Sequence, residues 1–107
     1  MPADKSNAAL TEAVYYILLS LHQPMHGYGI MQNVEQLSGG RVVLAAGTLY
    51  GAINNLVERG WIAALPGEGN SRKKEYEITD RGRKAARAEV ERLKELVDNG
   101  SRIMGGR

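Results

Sequence analysis

A chain of 107 residues has room for one small domain and little more. It has no cysteine, which excludes disulfide frameworks, thiol catalysis, Fe–S clusters and thiolate zinc sites together. Hydrophobic residues at 43% and charged residues at 24% suit a folded globular domain rather than a disordered chain, and the net charge of +2 is too small to name a partner by itself.

Residues 1–9 are small or polar and read as a loose arm. From Leu10 the pattern turns helical, with Leu10, Val14, Ile17, Leu18 and Leu21 recurring at three- and four-residue spacing. Pro24 and Gly27 end this helix near His22 or Gln23. A second helix is predicted over Gly27 to Leu37, stopped by Ser38, Gly39 and Gly40. Arg41 to Ala45 is short and β-branched in its middle, which predicts a stub of strand. The third helix is expected over Gly47 to Arg59, with Leu49, Ile53, Leu56 and Val57 as its apolar stripe and Gly60 as its C-terminal stop. At about 100° per residue, Thr48, Gly51, Asn54, Asn55 and Glu58 fall on the opposite side. That face is small and uncharged for two turns, which suits either close approach to a macromolecule or plain exposure.

After Gly60 the period changes. Trp61 to Leu65 reads as a strand, Pro66 to Ser71 as a loop, and Lys73 to Ile78 as a second strand with Tyr76 and Ile78 facing inward. Between Arg72 and Arg87 seven basic residues (Arg72, Lys73, Lys74, Arg81, Arg83, Lys84 and Arg87) stand against Glu75, Glu77 and Asp80. This local excess is larger than that of the whole chain, so the remainder is slightly acidic. The patch is either a phosphate-binding footprint or a solvated face. Thr79 or Asp80 caps a last helix running to about Asp98, in which Ala86, Val90, Leu93 and Val97 step by four, three and four. Such a seam calls for a second copy of the chain or else folds back onto its own domain.

The order is helix, helix, short strand, helix, hairpin, helix: a mainly α fold with a small β-hairpin wing, which is a winged helix-turn-helix followed by a dimerisation helix. The expected divisions are 1–9 (arm), 10–79 (winged helix-turn-helix), 80–99 (dimerisation helix) and 100–107 (flexible tail). Leu10, Val14, Ala86, Val90, Leu93 and Val97 are the expected dimer residues. Leu10, Thr11 and Val14 of the first helix are expected to meet Leu93 and Val97 in the last helix of a second copy and to frame a cavity between the two.

No enzyme is expected, because no nucleophile elbow and no phosphate-cradling glycine loop is present. No cofactor is expected. His22 and His26 flank Pro24, which breaks the helix that an i, i+4 metal pair would need, so no metal site is expected either. The longest mainly apolar stretch, Ala13 to Leu21, is far short of a membrane span, and no secretion signal is evident, which points to the cytoplasm.

Four segments carry a family resemblance. They are Leu10 to Leu21 with His26-Gly27-Tyr28-Gly29-Ile30; Gly47-Thr48-Leu49-Tyr50; Leu56-Val57-Glu58-Arg59-Gly60-Trp61-Ile62; and Arg72 to Thr79 followed by Arg81-Gly82. In this order and spacing the chain resembles the PadR family of transcriptional regulators over about positions 10 to 97. The resemblance implies a homodimeric repressor that binds a double-stranded DNA operator and is relieved by a small hydrophobic effector, for which the cavity framed by Leu10, Thr11, Val14, Leu93 and Val97 is the expected site. By position it implies that Thr48 and Tyr50 bond phosphate oxygens, that Asn54 or Asn55 presents an amide to a base edge, and that Arg72, Lys73 and Lys74 of the wing meet the backbone. The chain departs from the family pattern at Gly51, Glu75 and Glu77, and its last helix carries no aromatic residue. The acidic residues Glu58, Glu75 and Glu77 leave a second reading open: a winged-helix module that binds a protein partner and has no useful DNA affinity.

Overall fold

The computed structural model describes residues 9–66 and 74–105. Four helices and three short strands follow one another: α1 (Glu12–Ser20), β1 (Met25–His26), α2 (Gly27–Leu37), α3 (Ala46–Glu58), β2 (Ile62–Ala64), β3 (Glu75–Ile78) and α4 (Asp80–Ile103). The strands form an antiparallel sheet in the order β1-β3-β2. The helical phases of the sequence become the core. Ile17, Leu18 and Leu21 of α1 and its C-cap meet Ile30 and Val34 of α2 and Leu49, Ile53 and Leu56 of α3, while Trp61, Ile62, Tyr76 and Ile78 close the cluster from the sheet. Nine of these side chains lose essentially all contact with water. At about 1.5–3 kcal/mol for each fully buried aliphatic side chain, this cluster dominates the favourable side of folding.

Each helix stops where local chemistry dictates. Thr11 caps α1 by accepting from the Val14 N–H at 3.1 Å. The α3 helix ends in a Schellman turn: Gly60 has φ +77°, its N–H donates to the Val57 carbonyl at 2.9 Å, and the Trp61 N–H donates to the Leu56 carbonyl at 3.0 Å. Gly39 (φ 64°) ends α2 in the same way, with bonds from Gly39 to Gln36 and from Gly40 to Glu35.

Two expectations need correction. Residues 41–45 are irregular rather than a strand, because Ser38 takes the hydrogen bonds a strand would need: its carbonyl accepts from the Arg41 N–H and its hydroxyl accepts from the Val42 N–H at 2.9 Å. The third strand lies instead just after Pro24, where Met25 and His26 pair with Tyr76 and Glu75. The last helix also continues past Asp98 to Ile103, so residues 100–103 are helical rather than part of a tail. Arg102 in the final turn favours this extension, since a cation complements the negative helix end and its guanidinium donates to the Asn99 side chain at 2.9 Å.

The first turn of α4 is fastened to the α3–β2 turn. The Thr79 hydroxyl donates to the Gly60 carbonyl at 2.6 Å, and its oxygen accepts from the Gly82 N–H at 3.0 Å. The Thr79 N–H also donates to the Trp61 carbonyl at 2.9 Å. Gly82 lies so close to Trp61 that a Cβ there would overlap the Trp61 carbonyl oxygen, which is backbone and cannot swing away. Further along α4, Glu89 is buried at 5% exposure despite its charge. It accepts from Arg92 at 2.9 and 2.6 Å, and that pairing, assisted by the Leu10 backbone N–H, holds its carboxyl below the usual carboxylate range against the opposing effect of burial.

Replacing Gly82 by alanine is expected to destabilise the fold by about 3 kcal/mol through overpacking, measured as a fall in the denaturant midpoint. The lowered Glu89 carboxyl contributes stability at pH values above its unfolded value of about 4.5, and that contribution disappears as pH falls through the folded value. The stability gap between the wild-type chain and Glu89→Gln is therefore expected at neutral pH and should narrow on acidification in chemical-denaturation curves recorded at several pH values.

Candidate nucleic-acid interface

With Leu49, Ile53 and Leu56 buried, α3 turns its other side outward; Val57, expected in the same stripe, lies at its edge and is 40% exposed. Thr48, Gly51, Asn54, Asn55 and Glu58 are all exposed on it, as the helical phase predicts. The N-terminus of α3 is open: Ala45 is the N-cap, no side chain bonds the first turn, no acidic residue lies in it, and Ala45, Ala46, Gly47 and Thr48 are exposed. Unpaired N–H groups at a helix start attract anionic oxygens such as those of phosphate.

The candidate residues divide by how they are held. Asn54 is exposed, whereas Asn55 is restrained, its Oδ1 accepting from Arg59 Nε at 3.1 Å. Tyr50 is 41% exposed, and its phenol lies over Gly27 at the start of α2, so close that a Cβ there would displace the phenol. Tyr50 also sits beside buried Tyr76, whose phenol is pushed above its usual range first by burial and then by Tyr50. Tyr50 thus combines packing against α2 and β3 with an exposed edge. Lys74 is exposed immediately before β3. Arg72 and Lys73 lie outside the described residues. Glu75 is exposed and Glu77 half-buried, so an acidic residue stands beside the basic one at the base of the hairpin.

Within one copy of the chain, the five residues expected to frame a cavity between two copies lie on two separate grooves. Leu10, Thr11 and Val14 face a groove of about 480 Å³ with Asn55, Arg59 and Trp61. Leu93 and Val97 face a separate groove of about 370 Å³ with Tyr15, Val90 and Lys94. Arg59, Trp61 and Tyr15 were not signalled by the sequence, because each reaches its groove only through tertiary packing. Of the expected dimer residues, Ala86 belongs to the protomer's own core at 4% exposure, since it faces back onto the domain. Val90 and Leu93 are half-buried. Beyond them Leu96, Val97, Ile103 and Met104 are exposed by 53%, 64%, 77% and 85%, an apolar surface that the expected seam reached only at Val97.

Two helices joined by a short turn, a third helix with one open face, a three-stranded sheet and a long final helix together define a winged helix-turn-helix fold. Residues 16–88 match the transcriptional regulator PadR-like family, and the chain belongs to that family. No curated protein matches the sequence. Among solved structures, the chain is similar to a PadR family transcriptional regulator from Eggerthella lenta, with 26% identity and a TM-score of 0.69 over 85% of this chain and 80% of the other. Two more distant likenesses show the fold alone. PadR from Bacillus subtilis in complex with operator DNA has 23% identity and a TM-score of 0.59 over 69% of this chain and 44% of that one. BpsR from Bordetella bronchiseptica, whose DNA binding is regulated by 6-hydroxynicotinic acid, has 18% identity and a TM-score of 0.68 over 94% of this chain and 69% of that one. Members of such a family are transcriptional regulators rather than enzymes. Among the described residues no helix is long and apolar enough to cross a membrane.

Gly51 sits mid-helix in α3 with nothing near the position a Cβ would take. Gly51→Ala is expected to stabilise the chain by about 0.5–1 kcal/mol, read from the thermal midpoint, because alanine removes the backbone entropy cost of glycine in a helix.

Proposed function

We propose that this chain is a homodimeric, sequence-specific DNA-binding repressor, acting in the cytoplasm and released by a small hydrophobic effector. The observation that carries this reading is the outward face of α3, which is open at its N-terminus, uncharged for two turns and rigidly backed by a buried face. In this reading residues 10–79 form the DNA-binding unit and residues 80–99, with the helical continuation to Ile103, form the dimerisation helix.

Each residue takes the role its chemistry allows. Thr48 and Tyr50 bond phosphate oxygens, and Asn54 supplies a base-edge contact, since a free asparagine amide can pair in bidentate fashion with adenine. Asn55 contributes through its amide N–H groups while its oxygen is engaged by Arg59. Arg72, Lys73 and Lys74 meet the backbone. Leu10, Val14, Val90, Leu93 and Val97 contribute to the contact with the second copy. Burying the exposed Leu96, Val97, Ile103 and Met104 against it would add to the modest core a chain this short can form. The operator complex of the Bacillus subtilis relative supports the DNA partner, and the regulation of BpsR by a small molecule supports an effector. The rival reading, a protein-binding module, draws on exposed Glu58 and Glu75.

Selection from random duplex DNA at near-physiological salt tests both readings. A dimeric repressor is expected to enrich a two-fold symmetric motif with half-site centres ~34–36 Å apart or a multiple of that. On the recovered site, Asn54→Ala is expected to cost about 1–3 kcal/mol and relax preference at one position. Lys74→Ala should weaken binding uniformly and reduce the salt slope by about one. No enrichment, or binding indifferent to salt, would overturn the repressor reading in favour of the protein-binding module.

A further inference from the structure

We infer that Arg59 is a positioning residue for base selection: it fixes the Asn55 amide so that this flank of α3 offers only hydrogen-bond donors and selects guanine. The inference rests on the DNA-binding reading above and adds to it the base that one side chain chooses. Asn54 and Asn55 stand about 100° apart on α3, one on each side of its outward face. Both are exposed. Asn55 is held, its Oδ1 accepting from Arg59 Nε at 3.1 Å.

That bond decides which way the amide faces. Arginine carries donors and no acceptor, so the amide atom turned toward it is the oxygen, and the NH2 group is left for a partner. Arg59 is itself held, its guanidinium carbon lying 4.8 Å from the centroid of the Trp61 ring. That ring belongs to the core at 8% exposure. The Trp61 backbone is fixed on both sides, its N–H donating to the Leu56 carbonyl and its carbonyl accepting from the Thr79 N–H. The orientation of Asn55 is therefore relayed from the core through Trp61 and Arg59, rather than chosen by the base it meets.

A free asparagine pairs with adenine by accepting from N6 and donating to N7, which needs both amide atoms on one edge. Asn55 has committed its oxygen to Arg59. What its flank presents is the amide N–H groups beside a cation. This disfavours the adenine amino group and suits the two acceptors of guanine, O6 and N7; thymine, with O4 alone and a methyl group, matches less well. Glu58, in the middle of the face, can accept from the cytosine amino group of the same pair, so it does not oppose the choice. Two adjacent asparagines thus read two different bases.

Selection from random duplex DNA locates the position that Asn55 reads, as the one where Asn55→Ala loses the base preference of the wild-type chain. At that position the wild-type chain is expected to bind guanine about tenfold more tightly than adenine. Arg59→Ala is expected to erase most of that ratio by freeing the amide, and to leave preferences at the other positions as they were. Arg59→Lys, whose ammonium can still donate to Oδ1, should restore part of it. In an Asn55→Ala background, Arg59→Ala should change no base preference. Arg59 is exposed at the end of α3, and circular dichroism verifies that each variant folds. A guanine-to-adenine ratio unchanged in Arg59→Ala, with affinity lowered equally for every base, would overturn the inference, because Arg59 would then be a phosphate contact only. So would adenine at that position in the wild-type motif, or an Asn55→Ala variant with every preference intact. Those outcomes leave the symmetric motif, and with it the DNA-binding reading, in place. Failure of the wild-type chain to enrich any motif removes that reading and this inference together.

Discussion

Everything the chain offers to a partner depends on the joint where Thr79 fastens α4 to the turn after α3. Its hydroxyl both donates to Gly60 and accepts from Gly82, so one side chain serves as cap for α4 and as a tie to the Schellman turn of α3. Close approach at Gly82 removes the slack that a larger residue would introduce. The helix with the open outward face and the helix with the exposed apolar surface are thereby held at a fixed angle. Neither the outward face of α3 nor the apolar surface of α4 can be described independently of the other.

The parts of this fold that are legible in the sequence are those governed by short-range rules. Helical phase sets the buried faces of α1, α2 and α3, glycines at positive φ mark two helix ends, and the threonine before Asp80 marks the start of the fourth helix. What cannot be read there comes from long-range contacts. Met25 and His26 become a strand because β3 arrives beside them from about fifty residues further along the chain. Residues 41–45 fail to become one because Ser38 takes their hydrogen bonds. Glu89 reads as a solvated charge by its neighbours, yet it is buried because Arg92 and the start of α1 enclose it.

The candidate site shows the same division. The exposed face of α3 follows from periodicity, so helical phase alone singles out Thr48, Asn54 and Asn55. The degree to which each is free to act does not follow from phase, because the restraint on Asn55 comes from Arg59 and that on Tyr50 from its packing over Gly27 and beside Tyr76. Tyr15 and Trp61, aromatic residues outside α4, likewise reach their grooves through tertiary contacts that helical phase does not encode.

The extension of α4 to Ile103 has a mechanical meaning. A helix of 24 residues is about 36 Å long. Its buried positions, Gly82, Ala85, Ala86 and Glu89, all lie in the first half. The second half is a stiff rod with one end clamped and the other free. Whatever seizes the free end exerts torque on the clamp, and through the clamp it turns the outward face of α3. The chain is a rigid bracket with its corner at Thr79, so the direction in which the far end of α4 is held fixes the direction in which the outward face of α3 points.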